Sequence, residues 1–215
     1  MKQFAASIMC ADQMNLKKEL EELEKAEIKL LHCDVMDGIF VDNMAMGPYI
    51  LEEIKKNTDI PLDIHLAAIT PLKYMKMYSA IKPKYISFHI ETSENPEKEI
   101  EFLRENRISP SLAISPQTPI SEIVKYLSLV DMLLIMTVNP GFAGRDYLHF
   151  VEPKIEQLLK LRQRYKFHIV IDGGVTWEIL ERLWKKGVEG FVLGKQILFE
   201  KNEDYRTIIQ KVRNI

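Results

Sequence analysis

Cysteine is nearly absent: the 215 residues hold two, Cys10 and Cys33. Two are too few for a disulfide framework, so a reducing, cytoplasmic location is the default expectation. An excess of one charge is also missing, with 29 Lys and Arg against 31 Asp and Glu and a formal net charge of −2. That balance gives no electrostatic reason to expect nucleic acid or an anionic membrane as partner, and any anionic ligand needs a local site. No stretch approaches the ~18 consecutive apolar residues of a transmembrane helix. The opening segment Met1–Cys10 reaches Asp12 too soon to read as a secretory signal. Linkers, low-complexity tracts and charge blocks are missing as well, so a single domain over residues 1–215 is expected. What is there is ordinary globular composition, 47% hydrophobic and 28% charged, with length enough for a sizeable core.

The dominant pattern is alternation between short apolar runs and longer amphipathic segments. Strands are expected near Phe4–Met9, Lys29–Asp34, Pro61–Leu66, Tyr85–His89, Ser109–Ile114, Met132–Thr137, His168–Asp172 and Gly190–Leu193. Helices are expected near Asn15–Ala26, Pro48–Asn57, Pro71–Ile81, Pro96–Asn106, Ile120–Leu127, Phe150–Tyr165, Thr176–Lys186 and Tyr205–Val212. Thr70-Pro71 and Asn95-Pro96 each put a capping side chain before a proline at the first helical position, and Thr176 has an early acid behind it. Runs such as Leu133-Leu134-Ile135-Met136 and Ile169-Val170-Ile171 are apolar without alternation, as in parallel strands buried on both faces. Eight strand-helix units in this length fit a single-domain (β/α)8 TIM barrel. An open doubly wound sheet is the rival, but no Gly-x-Gly-x-x-Gly opening supports it. In a barrel, functional side chains belong at the C-terminal strand ends.

Side chains at i and i+2 of a strand share a face, so His32 and Asp34 point the same way in Leu31-His32-Cys33-Asp34-Val35-Met36-Asp37-Gly38. His65 nearly closes the third strand and Asp172 closes the seventh. Strand ends converge on one mouth, so these four could surround an ion; mixed nitrogen and oxygen donors suit Zn²⁺, and also Mn²⁺, Fe²⁺ or Co²⁺. Each taken alone also reads as a satisfied polar residue at a barrel rim. Asp63, one layer deeper than His65, reads as a supporting acid. His89 is a weaker candidate, and His149 and His168 read as residues without chemistry. Glycine-bearing loops follow the last three strands: Asn139-Pro140-Gly141-Phe142-Ala143-Gly144-Arg145, Gly173-Gly174 and Gly194-Lys195. Exposed backbone N–H groups there suit a phosphate, with Lys195 adding charge; turn chemistry alone also asks for glycine.

Taken together these residues resemble the ribulose-phosphate 3-epimerase family over nearly the whole chain. The likeness rests on Ala6-Ser7-Ile8-Met9, His32-Cys33-Asp34-Val35-Met36-Asp37-Gly38, Asp63-Ile64-His65-Leu66, Met136 through Gly144, and Asp172-Gly173-Gly174-Val175. The resemblance implies that His32, Asp34, His65 and Asp172 hold one divalent ion, zinc first. It implies that Asp34 and Asp172 form the acid–base pair and that Ser7, Met36 and Met136 line the reaction centre. Gly141, Phe142, Ala143, Gly144, Gly173, Gly174, Gly194 and Lys195 match the phosphate grip. It also implies a ketose phosphate substrate and a homo-oligomer, dimer or hexamer. Two opposed carboxylates suit proton removal beside a ketone on one face and return on the other.

The chain departs from the family's usual pattern at Ile39-Phe40-Val41-Asp42-Asn43, at Ala67 in place of a methionine, and at Gly194-Lys195-Gln196. These departures leave open a six-carbon substrate, allulose 6-phosphate, beside ribulose 5-phosphate. A lyase or decarboxylase barrel would need an Asp-x-Lys-x-x-Asp arrangement after the third strand, where this chain has His65-Leu66-Ala67-Ala68. A catalytically silent sugar-phosphate binder would need no opposed carboxylates.

Overall fold

β-Branched and leucine-rich runs with no polar alternation become strands covered on both sides. In the computed structural model, which describes residues 3–199 and 203–215, they form one closed sheet. Its strands are β1 (Gln3–Ser7), β2 (Leu31–Asp37), β4 (Leu62–Ala67), β5 (Tyr85–His89), β6 (Ser109–Ile114), β7 (Met132–Met136), β8 (His168–Asp172) and β9 (Gly190–Leu193), with a short β3 (Met44–Ala45) between β2 and β4 in the chain. All barrel pairings are parallel; β1 pairs with both β2 and β9, which closes the ring. β3 lies outside the ring as an antiparallel partner of β2. Residues 1, 2 and 200–202 of the expected domain lie outside the described residues.

Helices α1 (Leu16–Lys25), α2 (Pro48–Asn57), α3 (Pro71–Tyr78), α4 (Pro96–Glu105), α5 (Glu152–Leu161), α6 (Trp177–Lys186) and α7 (Tyr205–Arg213) surround it. Asn95 caps α4 by accepting from the Lys98 N–H at 3.0 Å, and Thr176 caps α6 by accepting from Ile179 N–H at 3.3 Å. Thr70 does not cap α3. Its backbone sits in the left-handed region at φ +52° and its side chain makes no capping bond, although Pro71 opens the helix as expected. The expected helix at Ile120–Leu127 is instead two 3-10 turns, Ile120–Glu122 and Val124–Tyr126. Ile123, Tyr126 and Leu127 are buried, so the apolar spacing was real. The run is short, rich in β-branched residues and without a side-chain cap, so tight turns serve it as well as a helix.

Strand side chains divide between two cores. Those facing out, such as Leu31, Cys33, Val35, Ile64, Phe88, Leu133, Ile135 and Phe191, join the helices in one continuous apolar layer. Those facing in form a smaller cluster that includes Ala113, Met132, Leu134, Met136, Val170 and Val192. The rest of the interior is polar: Ser7, His32, Asp34, Asp63, His65, Ser87, His89 and Ser111 are all buried. Register brings them side by side, with Ser7 beside His32, His32 beside Asp63, Asp34 beside His65, and His65 beside Ser87. Among the described residues no helix is long and apolar enough to cross a membrane.

Candidate active site and metal centre

β2 delivers both His32 and Asp34 to the interior because they are two apart; it also delivers Met36, since the strand runs on to Asp37. β4 brings His65, and β8 ends at Asp172. One donor atom from each of His32, Asp34, His65 and Asp172 lies within 4.8 Å of all the others. The His32 Nε2 is 3.5 Å from both Asp34 Oδ1 and Asp172 Oδ2, while His65 Nδ1 is 3.2 Å from Asp34 and 3.9 Å from Asp172.

The tautomer of His32 follows from its other nitrogen. Nδ1 lies 2.8 Å from a carboxylate oxygen of Asp63, which can only accept. Nδ1 therefore carries a proton, and in the neutral ring Nε2 has a bare lone pair that a proton or a cation can fill. That atom is fully buried and has no hydrogen-bond partner, an arrangement that costs free energy unless something positive sits there. Burial opposes charge on His32, yet Asp34, Asp172 and Asp63 outweigh it and hold its pKa well above the ordinary value. Burial likewise works against ionised Asp34, but His32 and His65 overcome it and its pKa falls below the usual carboxylate range. The interior is thus built around a positive charge. The donor set, two imidazoles and two carboxylates with an acid behind one imidazole, fits a divalent cation such as zinc.

Above the quartet a cavity opens to solvent. Ser7, Asp34, Met36, His65, Met136 and Asp172 line its deep end; Gly141, Phe142, Ala143, Gly144, Gly173, Gly174, Gly194 and Lys195 line its mouth. Every site residue expected from the sequence except His32 reaches this cavity; His32 lies fully buried beneath it. The Ser7 hydroxyl donates to Asp34 Oδ2 at 3.4 Å. Gly173 and Gly174 answer to close packing first: a Cβ on Gly173 would lie 2.3 Å from Val138 and one on Gly174 2.5 Å from the Tyr147 backbone. The same close approach leaves their backbone facing the mouth.

Asp63 backs His32, its register neighbour. His89 stays outside the quartet with its Nε2 2.9 Å from His65 Nε2. His149 and His168 lie at the surface beside Glu152 and Glu189. Sequence reasoning missed Met9 and Arg145, both lining the cavity. Met9 packs with Met36 and Ala67, filling space beside the position where a methionine is usual. Arg145 stacks on Phe142 at 5.4 Å from the ring centre. Its place directly after Gly-Phe-Ala-Gly was the available signal. The departures at Ile39 and Asp42 are exposed and lie off the cavity lining, Asp42 in a shallow neighbouring groove.

Comparison with solved structures supports the fold. 3-Hexulose-6-phosphate synthase from Salmonella typhimurium superposes with a TM-score of 0.71 at 16% identity, covering 100% of this chain and 97% of that one. A tryptophan synthase α-subunit from Pyrococcus furiosus gives 0.67 at 14% identity, covering all of both chains. In sequence the chain is 33% identical to the ribulose-phosphate 3-epimerase of Helicobacter pylori over 98% of this chain and 96% of the relative. It is 32% identical to the Bacillus subtilis enzyme of the same name, over 97% of each. The model of the ribulose-phosphate 3 epimerase family matches residues 3–198. The chain belongs to the ribulose-phosphate 3-epimerase family.

Proposed function

We propose that the chain interconverts D-ribulose 5-phosphate and D-xylulose 5-phosphate, with one divalent cation, zinc by preference, held by His32, Asp34, His65 and Asp172. The observation that carries this reading is the pair of carboxylates converging on a bare, buried imidazole nitrogen at the floor of a glycine-rimmed cavity. Asp34 and Asp172 come from separate strands of the ring, so a planar substrate seated between them meets one carboxylate on each face. One takes the proton from carbon 3 as base; the other returns a proton to the opposite face as acid, and the roles exchange with direction. The cation, when bound, supplies Lewis-acid stabilisation for negative charge on the substrate oxygens.

Met36 and Met136 present polarizable sulfur to the reacting carbons without offering a competing proton. Ser7 donates to Asp34 and orients it. The loops at Gly141–Gly144, Gly173–Gly174 and Gly194–Lys195 hold the phosphate through backbone N–H groups, with Lys195 adding charge. Self-association as a dimer or hexamer fits the exposed Met44 and Tyr49. The two free cysteines fit a reducing, cytoplasmic setting.

The test is turnover of ribulose 5-phosphate and allulose 6-phosphate on one preparation in deuterium oxide. Uptake of deuterium at carbon 3 of the pentulose, faster than of the hexulose, is expected. Exchange on neither sugar, from protein carrying one divalent ion per chain, would remove the proposal.

A further inference from the structure

His65 turns Nδ1 toward Asp34 and Asp172, so its usefulness as a ligand depends on which nitrogen carries its proton. We propose that Glu91 and His89 are positioning residues that fix this, forming a directed chain Glu91–His89–His65 that keeps the inward nitrogen bare. The inference rests on the quartet being a cation site.

The direction comes from Glu91. Its Oε1 accepts from the Ser115 N–H at 2.7 Å and from the Thr118 hydroxyl, and its Oε2 lies 2.9 Å from His89 Nδ1. Three donors converge on this carboxyl, which holds its pKa down at about 2 against the burial that would raise it. An ionised carboxylate only accepts, so His89 Nδ1 bears hydrogen. A neutral His89 then has a lone pair on Nε2, and that atom is 2.9 Å from His65 Nε2. Two bare nitrogens at this distance repel, so His65 Nε2 donates. Its Nδ1 is left bare, pointing at Asp34 from 3.2 Å. Only an unprotonated nitrogen ligates a metal, and this is the form the chain selects. The rings have little freedom to trade partners: His89 is fully buried, with Phe40 against it at 4.7 Å between centres and His65 at 5.1 Å.

Substituting Glu91→Gln reverses the chain. Ser115 and Thr118 both donate, so they claim the amide oxygen, and the amide NH₂ turns on His89 Nδ1. His89 must then accept at Nδ1 and donate from Nε2, which makes His65 accept at Nε2 and carry its proton on Nδ1, aimed at the cation.

Zinc affinity measured by chelator competition is expected to fall about 10- to 100-fold in Glu91→Gln, the usual loss on disrupting a ligand's partner. Thr118→Val, which removes one bond to the same carboxylate without touching its His89 side, should stay within about twofold of wild type. In zinc-loaded wild-type protein, ¹⁵N shifts should show His89 protonated on Nδ1 and bare on Nε2. This measurement holds even where Glu91→Gln does not fold. Equal affinity in Glu91→Gln and wild type, an equal loss in Thr118→Val, or a proton on His89 Nε2 would overturn the chain alone. Wild-type protein that binds no zinc would overturn the quartet with it.

Discussion

The barrel interior has two unlike walls. On β7, β8 and β9 the inward side chains are Met132, Leu134, Met136, Val170 and Val192, a packed apolar cluster. On β2, β4 and β5 they include His32, Asp34, Asp63, His65, Ser87 and His89, all buried and polar, with Met36, Ala67 and Tyr85 as the apolar exceptions. Asp172, at the C-terminal end of β8, is the point where the apolar wall contributes to the polar one. The first wall resists opening because its atoms prefer each other to water; the second tolerates burial only because each group meets a partner or a charge. Stability and chemistry are thus separated side to side across one ring, and each wall answers to different substitutions.

The largest effect should come from the crossing point. Asp172→Asn is expected to lower turnover about 10²- to 10⁴-fold, the range for losing a general acid–base group. Loss of deuterium uptake at carbon 3 with retained inorganic phosphate binding is the measurement. Leu134→Ala, on the apolar wall, should cost about 2–5 kcal/mol in denaturant unfolding. Folded Leu134→Ala should still hold zinc as wild type does; a parallel loss of zinc would erase the division between walls. On the polar wall, Asp63→Asn should loosen zinc about 10- to 100-fold by freeing the tautomer of His32. Lys195→Ala should raise KM roughly fivefold at constant kcat, on the order of 1 kcal/mol of phosphate binding; an unchanged KM would remove Lys195 from the grip.

The smallest effect tests a buried acid that meets a hydroxyl in place of a cation. Glu99 lies outside the ring, where burial, only partly offset by the Ser93 hydroxyl, pushes its pKa up to about 7, while Asp34 is pulled down by its histidines. A raised carboxyl pKa means that the folded state holds the proton more tightly, so Glu99 erodes stability as pH rises from its ordinary range through 7. Glu99→Gln should therefore stabilise by on the order of 1 kcal/mol at pH 8 and far less at pH 5, read from melting curves at both.

Much of this was legible in the chain. Strands buried on both faces announce themselves as unbroken apolar runs, and the i, i+2 spacing of His32 and Asp34 already put them on one face. The quartet needed the ring as well, since Asp172 joins it only through closure. What escaped was short or set by tertiary contact. The segment at Ile120–Leu127 has helical spacing but lacks the length and cap to prefer a helix over tight turns. β3 is two residues long and exists because it pairs with β2. Met9 reads as a strand residue until Ala67 is seen to leave room beside it. The link between His65 and Glu91 runs through His89, and no spacing along the chain reveals which ring nitrogen faces which neighbour.

Ring closure also has a temporal side. Asp34 is in place once β2 lies beside β4, but Asp172 arrives with β8, and the seam seals only when β9 slots between β8 and β1. Contacts so distant in sequence form late, because a long loop must be closed before they are gained. A nascent chain therefore has one carboxylate without the other for most of its synthesis. The quartet is complete once β8 is in place, and the ring around it only with β9.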